Sequence, residues 1–118
     1  MTSRLILLSA LLCLCMPAAS SAAKAEKRRW ASQYLDACET SSAEWPICKA
    51  YIEGFLGATS TLVKNKKISP PFCLPEGIST EQIAAVFREF ALQGPYRAVA
   101  MEGALLMSVG LKFPCQTS

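Results

Sequence analysis

Six cysteines and no histidine set the limits on chemistry in this 118-residue chain. A cysteine can act as a nucleophile, a metal ligand, a redox switch or a cross-link. Cys73 poses the choice most sharply. It lies in "PPFCLPEGISTEQIAAVF", residues 70 to 87, among three prolines and just ahead of a helix start. Without histidine no Ser–His or Cys–His pair can form, so nucleophilic hydrolysis lacks its usual base. With neither His nor a CxxC spacing, a zinc site is not expected. No glycine-rich phosphate loop is present. Glu53 and Glu102 are carboxylates that could in principle share acid–base work, but nothing in their spacing singles them out. The reading is therefore a binding protein, not an enzyme, with no catalytic residue, no metal and no cofactor.

Which cysteines matter depends on export. "MTSRLILLSALLCLCMPAASSAAK" has Arg4 as a positive start, an apolar run from Leu5 to Met16, and small residues up to Ala23. That is the layout of a secretory signal peptide, expected over residues 1–23 with cleavage after Ala22 or Ala23. The apolar run is too short for a bilayer, which needs about 20 residues, so no membrane span is expected in the mature chain. Lipid attachment at Cys13 or Cys15 is disfavoured, because Leu12 and Leu14 stand where a small residue is wanted. The mature part, 24–118, is expected to be a single small domain with a modest core. It keeps Cys38, Cys48, Cys73 and Cys115, an even set in an exported chain, which reads as a disulfide framework. The net charge of +3 is too mild to argue for nucleic acid.

The elements that must position these cysteines are all helical in pattern. The fold class expected is all-α, a small disulfide-stapled bundle of about four helices. The first helix covers Glu26 to Cys38, with Trp30, Tyr34 and Leu35 on one face. The second starts near Pro46, a residue suited to a first turn. Cys48, Tyr51, Ile52, Phe55, Leu56, Leu62 and Val63 follow its apolar period. Gly54, Gly57, Ala58 and Thr61 form a strip of small residues, expected to admit a neighbouring helix. "KNKKISPPFC" then breaks the pattern. Ser79 opens the third helix with a capping box completed by Gln82, and Ile83, Val86, Phe87 and Phe90 make its stripe. Gly94-Pro95 ends it. The fourth, Tyr96 to Leu111, is apolar nearly all round apart from Glu102 and Ser108, and is expected to be the most buried.

Three disulfide connectivities are formally open. Cys38 closes the first helix and Cys48 opens the second, so an antiparallel hairpin brings them to one end. Cys73 precedes the third helix and Cys115 follows the fourth, so the second hairpin does the same. Joining Cys48 to Cys73 would mean bridging most of a helix, about 25 Å at 1.5 Å per residue. The hairpins favour Cys38–Cys48 with Cys73–Cys115. Cys73 is then a staple that ties the approach to the third helix to the C-terminal tail.

"CKAYIEGFLGA" at 48–58, "CLPEGISTEQI" at 73–83 and the closing "LKFPC" at 111–115 occur in that order. Together they resemble the Rap/Tai family of bacterial immunity proteins, over about residues 34 to 115. The resemblance implies an exported all-α protein of the periplasm. Its partner would be a peptidoglycan amidase delivered through type VI secretion, which it would bind and neutralise. The resemblance also implies a tendency to homodimerise. The matching residues are scaffold, so contact residues must come from this chain itself. "QGPYR", the turn of Gln93, Gly94, Pro95, Tyr96 and Arg97, carries two residue types enriched in binding hot spots. The lysine run Lys64 to Ile68 is a second surface, read more simply as solvated charge. The runner-up function is a small periplasmic stress protein or acid chaperone. Its trigger would be carboxylate protonation below about pH 5, and the nine acidic residues show no cluster. A stand-alone envelope protein with an unrelated partner is the third reading.

Overall fold

The computed structural model describes residues 28–116; the expected signal peptide lies outside them. Among the described residues there are three α-helices and two 3-10 turns. The helices are α1 (Trp45–Lys64), α2 (Thr80–Ala91) and α3 (Met101–Lys112). The 3-10 turns cover Ala31–Tyr34 and Gly94–Tyr96. The class is all-α and disulfide-stapled, but the bundle has three α-helices where about four were expected.

The missing helix is the first. Its apolar spacing is helical, yet at its start three backbone hydrogen bonds go to a distant segment of the chain. Ala31 N–H donates to Val99 O (2.7 Å), Ser32 N–H to Arg97 O (3.0 Å), and Arg29 O accepts from Met101 N–H (3.0 Å). Trp30 and Ala100 thus form a short antiparallel bridge. Gln33 Oε1 accepts from the N–H groups of Arg29 (2.8 Å) and Trp30 (2.9 Å), closing the entry to the turn. Helical propensity is a weak prior, and long-range pairing overrides it here. The limb still delivers the buried residues Ala31, Tyr34, Leu35, Ala37 and Cys38 to the core.

α1 has Pro46 in its first turn, where a missing N–H costs nothing. Cys48 and Ile52 are buried, with Tyr51, Phe55 and Leu56 packed beside them. α1 ends at Lys64, and two residues on, Lys66 takes a left-handed φ of 56°. Lys66 N–H then reaches Val63 O (2.9 Å) and Lys67 N–H reaches Leu62 O (2.9 Å), the bond pattern of a Schellman C-cap. The strip of small residues has no helix against it. A Cβ built on Gly54 or Gly57 would meet nothing within 4 Å. Close approach occurs instead at Gly110 of α3, where a Cβ would lie 3.3 Å from Pro71 O in the proline-rich strap.

α2 is the centre of the domain, packing against both α1 and α3. Ser79 Oγ accepts from Gln82 N–H (3.1 Å) while Gln82 Oε1 accepts from Ser79 N–H (2.8 Å), a complete capping box. Ile83, Ala84, Phe87, Phe90 and Ala91 are buried. α3, expected to be the most buried helix, begins five residues later than expected and buries only one face. Met101, Ala104, Leu105, Ser108 and Val109 point inward. Leu106, Met107 and Leu111 are 44%, 41% and 72% exposed. Three α-helices are too few to enclose an element on all sides, so the sequence's uniform apolarity overstated its burial.

Cys38 is joined to Cys48 (Cα–Cα 5.1 Å) and Cys73 to Cys115 (Cα–Cα 4.8 Å). The first bridge is buried and pins the limb to the start of α1. The second has Cys73 exposed and ties the strap to the tail, beside a hydrogen bond from Cys73 N–H to Phe113 O (2.8 Å). Two ion pairs reinforce the limb: Arg28 with Glu44, and Arg88 with Glu39. Arg88 Nε also donates to Leu35 O (3.0 Å).

Candidate partner-binding surface

The turn Gln93 to Arg97 is built by the end of α2. Gln93 N–H donates to Phe90 O (3.2 Å), Tyr96 N–H to Gln93 O (3.0 Å), and Val99 N–H to Tyr96 O (3.2 Å). Gln93, Gly94, Pro95 and Arg97 are exposed. Tyr96 is only half-exposed. Its ring stacks on Phe90 at 4.2 Å between centroids and 21° between planes, so it supports the fold from the surface side. A truncation at Tyr96 therefore disturbs packing as well as surface, whereas Gln93 and Arg97 can be changed from the outside.

The bridge between the limb and residues 97–101 sets Trp30 opposite Ala100 and ties Ser32 to Arg97 at the end of this turn. Trp30 is 42% exposed, with the Arg29 guanidinium 5.1 Å from its ring centroid, within the range of a cation–π contact. Behind them opens a cleft of about 490 Å³ lined by Arg28, Arg29, Tyr34, Tyr51, Met101 and Glu102. Tyr51 OH donates to Glu102 Oε2 (3.2 Å), and the Tyr34 and Tyr51 rings sit 5.5 Å apart. Partial burial, then the nearby Glu102 charge and its hydrogen bond, push the Tyr51 hydroxyl up to about 12. Across the cleft Arg28 donates to Glu44 Oε1 (2.7 Å), and that hydrogen bond, more than the charge alone, holds the Glu44 carboxyl below its ordinary value.

Glu53 and Glu102 take separate partners: Glu53 accepts from the Thr80 hydroxyl (3.5 Å) and Glu102 from Tyr51. They form no carboxylate dyad. Among the described residues no group of His, Cys, Asp and Glu could hold a metal ion, and no helix is long and apolar enough to cross a membrane. The lysines at 64, 66 and 67 are exposed at the far end of α1, about 30 Å of helix from its start. Sequence reasoning selected the 93–97 turn but not Arg29 and Trp30. The helical spacing of 26–38 hides those two, and the bridge to Ala100 brings them to the segment that follows the turn.

The geometry amounts to a cross-linked helical domain with one arginine- and aromatic-bearing end. The family model of the Rap1a immunity proteins matches residues 8–115. The chain belongs to the Rap1a immunity protein family, whose members neutralise toxins and are not enzymes. No curated protein and no solved structure matches it.

Proposed function

We propose that the chain is a periplasmic immunity protein that binds a peptidoglycan amidase toxin of type VI secretion and occludes its active site. The observation that carries this reading is the family match over residues 8–115. Export with removal of residues 1–23 accords with the two disulfides, which persist in oxidising compartments. A cross-linked scaffold also presents its contact loops preorganised, which reduces the entropy lost on docking. The contact surface includes Gln93, Gly94, Pro95 and Arg97, with Tyr96 holding the turn in shape. For the homodimer implied by the resemblance, the outward face of α3 offers uncovered Leu106, Met107 and Leu111; sedimentation equilibrium of residues 24–118 reads the mass directly.

The test is a titration of the mature chain into a purified type VI amidase encoded beside its gene. Tight binding should accompany loss of peptidoglycan cleavage. Arg97→Ala should weaken binding about 30-fold, the equivalent of a 2 kcal/mol hot spot, with unchanged helical content. If the folded wild-type chain neither binds nor inhibits that amidase, the amidase assignment is wrong.

A further inference from the structure

The cleft beside Trp30 has an uneven distribution of charge. On one wall Arg28 is engaged by Glu44. On the other Glu102 is engaged by the Tyr51 hydroxyl. Arg29 lines the same cleft and lies over Trp30, and among the described residues it pairs with no carboxylate. Arg97, two residues along the bridged segment, likewise has none among the described residues and is exposed. Because a tyrosine hydroxyl carries no charge, Glu102 is left unbalanced as well, and this end holds two guanidiniums without a carboxylate partner against that one carboxylate. Arginine is the side chain whose planar fork suits a carboxylate in two-point geometry. Trp and Arg are also the types most often found as interface anchors. A volume of about 490 Å³ is within the range of enclosed ligand sites, but this one opens to the surface beside a large exposed aromatic.

We propose that this cleft, walled by Arg28 and Arg29 on one side and by Tyr51 with Glu102 on the other, is the seat for a carboxylate-bearing loop of the partner toxin. The inserted carboxylate pairs with Arg29, Trp30 covers the loop's stem, and Arg97 meets a second acidic residue on the rim. Glu102 sets the direction of entry, because its charge repels a carboxylate from the Tyr51 wall and leaves only the Arg29 side. This rests on the immunity reading for the identity of the partner. The cleft's preference for carboxylate can be read without it.

The experiment has two arms. In the first, acetyl-tetraglutamate amide is titrated into the isotopically labelled mature chain, and the Arg29 Nε–H and Trp30 indole signals are followed. Both should shift and saturate, while the Trp45 indole stays in place. Acetyl-tetraglutamine amide should leave all of them unmoved, and Arg29→Ala should abolish the Trp30 shift. In the second arm, Arg29→Ala should weaken amidase binding at least 10-fold and lessen its salt dependence. The triple Lys64→Ala, Lys66→Ala, Lys67→Ala variant removes more charge at the far end and should change affinity less than 2-fold. Absence of amidase binding by wild type sinks the partner assignment alone, since the peptide arm still reads the cleft. Equal response to the glutamine peptide, or amidase binding by Arg29→Ala as tight as wild type, overturns the cleft proposal.

Discussion

Removing the outer disulfide with Cys73→Ala and Cys115→Ala tests how this small domain is stabilised. The two cysteines are 42 residues apart in sequence. On the chain-entropy account, a closed loop of that length restricts the unfolded ensemble by about 4 kcal/mol at 25 °C. The inner bridge spans 10 residues and contributes about 2.7 kcal/mol on the same account. The native fold should survive the outer deletion. The strap is also held by the bond from Cys73 N–H to Phe113 O, and by the Phe72 ring stacked 6.1 Å from Phe55. The loss therefore falls on the unfolded state, which becomes more expanded. Urea unfolding followed by circular dichroism should show an unchanged helical spectrum, stability lower by about 4 kcal/mol, and a steeper denaturant slope. The melting temperature should fall by roughly 15–30 °C, since 1 kcal/mol shifts a domain this size by about 4–8 °C. A domain with a total of about 5–15 kcal/mol would keep only a thin margin. A loss below about 1 kcal/mol with an unchanged slope would refute the reasoning, because it would mean the loop is already constrained without the bridge.

Two further outcomes follow from single residues. Lys66, two residues past the end of α1, has a φ of 56°, a conformation that glycine adopts without strain, so Lys66→Gly should raise stability by about 0.5–1 kcal/mol in the same urea assay. Tyr51 should ionise near pH 12, as read by phenolate absorbance. Its folded pKa is raised, so the stabilising contribution is full below the ordinary tyrosine value of about 10 and is lost as pH rises through about 12. Tyr51→Phe should lack that alkaline component, and a variant that keeps it would assign the late titration to another group.

Local signals were the legible part of this chain. Ser79 and Gln82 announce the start of α2 because a capping box is a contact between residues three apart, and Pro46 marks the first turn of α1 for a similar local reason. The cysteine positions indicate a cross-linked domain, and the ordered motifs around Cys48, Cys73 and Cys115 carry the family likeness. The candidate turn at 93–97 was visible as a Gly-Pro break bearing Tyr96 and Arg97.

What depends on distant partners was not legible. The limb from 28 to 38 has a helical apolar period, but backbone groups of Arg29, Ala31 and Ser32 pair with residues some 65 to 72 positions away. α3 is apolar on every side, and no composition rule says which side the rest of the chain will cover. Gly54 and Gly57 suggested a helix crossing that the fold does not make, while Gly110, unremarked in sequence, meets the strap at Pro71. The candidate binding end follows the same logic. Sequence determined which side chains were available and where single helices start. Only the tertiary pairing of Trp30 with Ala100 put Arg29 and Trp30 against the segment that follows the turn, because a bridge between distant segments is chosen by the packing of the whole domain.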